Sequence, residues 1–86
     1  MDKEPTIISS PLSQPFYLDG ATVFIEIYRL EESKGWTLEI EDEYHNTTLW
    51  EDEFSADTAA FDEAQIAIKS QGIRSFIGPE DGKGTW

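Results

Sequence analysis

The chain has 86 residues, with 18 acids against six lysines and arginines, one histidine and no cysteine, for a formal net charge of −12. Its length bounds it to one domain. The absence of cysteine excludes disulfides and thiolate metal sites, and the charge opposes binding to nucleic acid or anionic lipid. A domain this small buries a limited core, so it depends on packing, to which five Phe, three Tyr and three Trp bring large apolar areas.

No run approaches the roughly 18 apolar residues of a membrane span. The start, MDKEPTIISS, lacks the basic and apolar regions of a secretory signal, so the expected location is the cytoplasm. The acid is unevenly placed. Between Glu26 and Glu63 stand 13 acids against Arg29 and Lys34, while the rest of the chain is nearly balanced.

In chain order, residues 1–14 read as a flexible tail. Pro5 and Pro11 punctuate a serine-rich segment without periodicity; Thr6-Ile7-Ile8 could at most add a short edge strand. Asp19-Gly20 between apolar runs is a hairpin signal, because both central residues of a type I′ turn need positive φ. That makes Phe16 to Leu18 a candidate short strand. Thr22 to Leu30 is the clearest strand, rich in β-branched and aromatic residues. Val23, Ile25 and Ile27 point to the core, and Phe24, Glu26 and Tyr28 point away. Glu31 to Gly35 forms the turn, with Gly35 free to take positive φ.

Trp36 to Asp42 is the next strand, with Trp36, Leu38 and Ile40 inward and Thr37, Glu39 and Glu41 outward. After a turn at Tyr44-His45-Asn46, Thr47 to Glu53 is expected as a strand with Thr48 and Trp50 inward, Leu49 and Glu51 outward, and Phe54 closing the core. A one-residue slip would exchange those faces. Ser55, or alternatively Asp57, is the expected N-cap of a helix. Phe61, Ala64 and Ile68, joined by Ala60 and Ala67, mark its buried face, and Gly72 is the expected C′ residue. Ile73, Phe76 and Ile77 form a short apolar patch over the end of the sheet, stopped by Gly78-Pro79. Residues 79–86 read as a second flexible tail. The expected fold is α+β in two layers: an antiparallel sheet of three to four strands in β-β-β-α order, with one helix on one face, spanning residues 15–78.

Catalytic and cofactor chemistry finds little footing. His45 is the sole histidine, in an expected turn, and without a second His or Cys it makes a poor transition-metal site. The acid runs Glu41-Asp42-Glu43 and Glu51-Asp52-Glu53 lack the alternating oxygens and the glycine of a calcium loop. No glycine-rich loop opens the helix to cradle a phosphate, and the serines have no companion base. No cofactor and no metal are expected, and the domain reads as non-catalytic. The strand-then-helix order matches the topology of double-stranded RNA-binding domains. Those use basic residues at the start of the final helix, where this chain has Ser55-Ala56-Asp57.

A longer pattern runs through Ile27-Tyr28-Arg29, Gly35-Trp36-Thr37-Leu38-Glu39, Thr48-Leu49-Trp50-Glu51-Asp52, Phe54-Ser55, Asp57, Ala59-Ala60, Asp62-Glu63-Ala64, Gly72-Ile73 and Phe76-Ile77-Gly78. It covers about two-thirds of the chain and resembles a group of small bacterial proteins with no established activity. The resemblance implies a compact α+β domain of bacterial origin.

The outward sheet face should display Phe24, Tyr28 and Leu49 among Glu26, Glu39, Glu41 and Glu51. Aromatics ringed by acid suit a protein partner with a basic, partly apolar surface; the chain itself is expected as a monomer or weak dimer. The competing structural expectation is that the N-terminal tail folds over Phe24 and Tyr28, or that they only pair across strands. A second functional expectation is mimicry of nucleic acid, with carboxylates occupying the groove of a basic nucleic-acid-binding protein. Its geometric basis is loose: alternate strand residues such as Glu39 and Glu41 advance about 6.8 Å, near twice the 3.4 Å phosphate step of one DNA strand.

Overall fold

A computed structural model describes residues 6–78. It shows an antiparallel sheet of five strands followed by one helix packed against it. The strands are β1 (Ile7–Ser9), β2 (Gln14–Leu18), β3 (Ala21–Leu30), β4 (Thr37–Asp42) and β5 (Thr47–Leu49); the helix α1 is Asp57–Gln71, and a 3-10 turn follows at Ile73–Phe76. The α+β two-layer class is as expected; the strand count is higher than the three to four anticipated.

The added strand comes from the supposed tail. Ile7–Ser9 and Gln14 belong to the sheet: β1 and β2 lie end to end along one edge of β3, pairing with its second and first halves, with a turn between them. Pro11 interrupts that edge, because it has no N–H to give a ladder. Two serines repair the gap. Ser10 donates its N–H to the Ile27 carbonyl at 2.8 Å. The Ser13 hydroxyl accepts from the Ile27 N–H at 3.0 Å and donates to its carbonyl at 3.1 Å. The Ser13 side chain thus supplies an acceptor for the Ile27 N–H where the chain between β1 and β2 leaves the ladder. Residues 1–5, the outer part of the expected N-terminal tail, and residues 79–86, the whole of the expected C-terminal tail, lie outside the described residues.

Alternation sets the two faces. Val23, Ile25, Ile27, Leu38 and Ile40 are fully buried beneath α1, which contributes Ala60, Ala64, Ala67 and Ile68. The alanines let the helix axis approach the sheet closely. Ile73 and Phe76 of the 3-10 turn cover the end of the core as expected, and Phe76 stacks on Trp50 with ring centroids 6.2 Å apart.

Several local expectations are corrected. β5 stops at Leu49 rather than running to Glu53. Thr48 keeps its inward register opposite Ile40 but is exposed. Trp36 and Phe61 are half-buried flanks of the core. Trp36 sits just before β4 in a bridge with Phe54, and the Arg29 guanidinium lies 5.2 Å above its ring. The helix N-cap is Ala56, with no side-chain cap; the Asp57 carboxylate instead accepts from the buried Ser10 hydroxyl at 2.7 Å. Gly35 does not need positive φ. It is required because a Cβ there would collide with the Glu53 side chain. Asp19-Gly20 does have positive φ at both residues, 52° and 77°, as a type I′ hairpin demands.

Asp42 organises the far end of the sheet. Its side chain is 1% exposed. One oxygen accepts from the backbone N–H of Tyr44 at 2.9 Å and of Asn46 at 2.7 Å. The other accepts from the Asn46 side chain at 2.9 Å and the Gly78 N–H at 2.7 Å. Burial by itself raises this carboxyl, but the hydrogen bonds from Gly78, Asn46 and Tyr44 outweigh it and hold Asp42 below its ordinary value. The same four bonds fix the turn in which His45 takes φ of 69° and tie the end of the 3-10 segment to β4.

Candidate interaction surface

The sheet face opposite α1 is built by the outward residues of every strand. Register sets their neighbours. Phe24 lies between Pro15 of β2 and Glu41 of β4; Glu26 lies opposite Glu39; Tyr28 lies between Ser9 and Thr37; Leu30 lies opposite Ile7. On β4 and β5, Glu39 faces Leu49 and Glu41 faces Thr47. Of the candidate residues, Phe24, Tyr28, Leu49, Glu26, Glu39 and Glu41 come together here. Glu51 does not join them: it is exposed beyond the end of β5.

Among the described residues, six large apolar side chains are exposed: Ile7, Tyr17, Phe24, Leu30, Leu49 and, on the helix, Ile66. Five of the six therefore stand on this one face. Ile7 is 62% and Tyr17 70% exposed. The described part of the segment expected to fold over Phe24 instead pairs edge-on with β3 through residues 7–9 and 14–18, so that among the described residues the face stays open. Where β1 gives way to β2, a shallow depression of about 440 Å³ opens, lined by Ile7, Ser9, Ser13, Glu26, Tyr28 and Glu39.

The acid on this face is wired together. His45 Nδ1 lies 2.9 Å from Glu41, Glu41 shares a hydrogen bond with Glu26, and Tyr28 donates its hydroxyl proton to Glu39 at 3.0 Å. Burial, the Glu41 hydrogen bond and the neighbouring Glu41 and Glu39 charges push the Glu26 carboxyl up to about 7. The hydrogen bonds from His45 and Glu26 lower Glu41. Burial and the Glu39 carboxylate raise Tyr28. None of the four described lysines and arginines relieves this charge. Arg29 turns to the other face, onto Trp36 and the carbonyls of Leu30, Glu31 and Ser33. Lys34 sits in the hairpin turn, Lys69 on α1 and Arg74 in the 3-10 turn.

A titration follows from this arrangement. A carboxyl raised above its ordinary value of 4.5 contributes stability that is fully present below that value and lost as pH climbs through about 7. Glu26→Gln copies the protonated form and escapes the loss. The variant should match wild type at pH 4 and exceed it by about 1–2 kcal/mol at pH 8, after allowing for solvent screening. For a domain of this size that is a melting-temperature difference of roughly 5–10 °C. Thermal melts at the two pH values check it; a difference that does not change with pH would show that Glu26 titrates as an ordinary glutamate.

Among the described residues no group of three or more His, Cys, Asp or Glu is arranged to hold a metal ion, and no helix is long and apolar enough to cross a membrane. Sequence reasoning missed Ile7, Tyr17 and Leu30. Leu30 follows from extending the β3 alternation by one step, and Tyr17 follows from the Asp19-Gly20 turn, which puts it opposite Thr22. Ile7 carries only the weak signal of the β-branched run Thr6-Ile7-Ile8, because its strand depends on a pairing across 23 residues of sequence. No family model matches the chain, and comparisons with curated proteins and with solved structures returned no match.

Proposed function

We propose that the protein is a non-catalytic interaction module whose open sheet face binds a protein with a basic, partly apolar surface. The observation that carries this reading is that, among the described residues, five of six exposed large apolar residues stand on one sheet face that no described element covers, alongside Glu26, Glu39 and Glu41. A face with this apolar content is costly to leave in water and marks a contact surface when it is contiguous. The carboxylates favour a basic partner, speed encounter and reject acidic competitors, second copies of this chain included.

Two double variants, each first shown to be folded, test the reading. Phe24→Ser with Tyr28→Ser removes the aromatic contacts; Glu39→Gln with Glu41→Gln removes charge and little shape. A few large desolvated side chains carry most of the affinity of a protein interface, so the serine variant should lose a partner captured from the lysate of the source organism by ten-fold or more. The glutamine variant should weaken capture less and slow association. The opposite ranking, with capture falling steeply with salt, would favour nucleic-acid mimicry. Unchanged capture by both variants would place the site elsewhere on the protein.

A further inference from the structure

We infer that the occupant of the open face is a basic amphipathic helix lying along β3; this rests on the interaction reading above and names the form the partner takes. The face is laid out as two parallel stripes. Along β3 and its edge run Ile7 and Leu30, then Tyr28, then Phe24 and Pro15, then Tyr17. Beside them, on β4, run Glu39 and Glu41, with Glu26 between Tyr28 and Phe24 extending the acid into the apolar stripe.

The stripe from Leu30 to Thr22 covers eight residue steps, about 27 Å. That is the length of a helix of roughly 18 residues. Successive outward rows on a strand are about 6.8 Å apart, and an i, i+3, i+4, i+7 stripe on a helix advances about 5.3 Å per row, so the two sets of side chains coincide over two or three rows at a time. A helix with one apolar stripe and lysines or arginines along one flank would place the first over Tyr28 and Phe24 and the second over Glu39 and Glu41. The depression between Ile7, Tyr28 and Glu39 receives one large side chain near the middle. The other face of the same sheet already takes a helix in this manner, with α1 packed on β3 and β4. The helix therefore completes a third layer, a stable way for a sheet to bury its second face. A second copy of this chain would bring like charge against like charge, at a net charge of −12 each.

Two synthetic 18-residue peptides of identical leucine and lysine content provide the test. In one, leucines recur at i, i+3, i+4 and i+7, so it is amphipathic only as a helix; in the other, leucine and lysine alternate, so it is amphipathic only as a strand. Binding is followed at roughly 150 mM salt by NMR on isotope-labelled protein. The helical peptide should bind at least ten-fold more tightly. Its shift perturbations should fall on Ile7, Tyr17, Phe24, Tyr28 and Leu30, and it should weaken ten-fold or more with the folded Phe24→Ser, Tyr28→Ser variant. Equal affinity for both peptides, or helical-peptide binding unaffected by that variant, would overturn the inference. So would preference for the alternating peptide with perturbations on the free edge of β5, which signals strand addition. If neither peptide binds, the helical occupant is rejected. The broader interaction reading still stands or falls separately, on whether the serine variant loses the captured partner.

Discussion

Asp42→Ala is expected to lower the free energy of unfolding by about 3–5 kcal/mol, since hydrogen bonds to a charged group are worth about 1.5–3 kcal/mol each and several are lost together. The substitution removes the bonds that Asp42 accepts from the N–H groups of Tyr44, Asn46 and Gly78 and from the Asn46 amide. A buried donor left without another acceptor costs about 1–3 kcal/mol unless it reaches water. Since a domain of this size has on the order of 5–10 kcal/mol in total, the variant should lose roughly a third or more of its stability. Asp42→Asn preserves shape but turns a donor toward donors, and should lose roughly half as much. The carboxyl sits below its ordinary value of 3.8. Its contribution is therefore present above that value and lost as pH falls through the lower folded value. Both variants should lose that part of the acid sensitivity. Urea unfolding at pH 7 and at pH 3 measures these differences; wild-type midpoints in Asp42→Ala would mean that water holds the turn as well as the carboxylate does.

Leu38→Ala should follow closely, at about 3–4 kcal/mol, from lost transfer energy and the cavity left between β3, β4 and α1. Leu38 is wholly buried, whereas Trp36, two residues earlier and much larger, stays half-exposed under Arg29. Trp36→Ala is accordingly expected to cost less, about 2 kcal/mol. Size alone would reverse that order. Urea midpoints with unchanged slopes settle the comparison; a larger loss at Trp36 than at Leu38 would put the centre of the core at the Trp36–Phe54 bridge instead of under α1.

Much of the fold was legible because its signals are local. Val23-Phe24-Ile25-Glu26-Ile27-Tyr28 alternates with period two, and the helix face repeats at Ala60, Ala64, Ala67 and Ile68; both patterns match the burial seen. Asp19-Gly20 announces its turn through backbone conformation alone. What was not legible depends on partners distant in sequence. Ser10 and Ser13 look like linker residues until Ile27 is placed beside them. Asp57 looks like a helix cap until Ser10 arrives to occupy its carboxylate. Gly35 looks like a turn glycine until Glu53 crosses over it. The candidate surface divides in the same way. Phe24, Tyr28, Glu39 and Glu41 were readable from alternation, while Ile7 required the non-local pairing of β1, and Glu51 was misplaced because β5 ends before reaching it.

The most direct test of the open face as a docking surface is site-specific photo-crosslinking in a lysate of the source organism. A photoreactive phenylalanine analogue is placed either at Phe24 on the sheet or at Ile66 on the solvent side of α1. Both positions are exposed and apolar, at 37% and 60%; the control position is the more accessible of the two, so preferential reaction at position 24 reports its face and neighbours. The expected result is a discrete adduct at position 24, with a protein carrying a basic segment, that is absent at position 66 and suppressed by Tyr28→Ser in the same chain. Adducts of equal yield and identity at both positions, or none at position 24, would contradict the assignment.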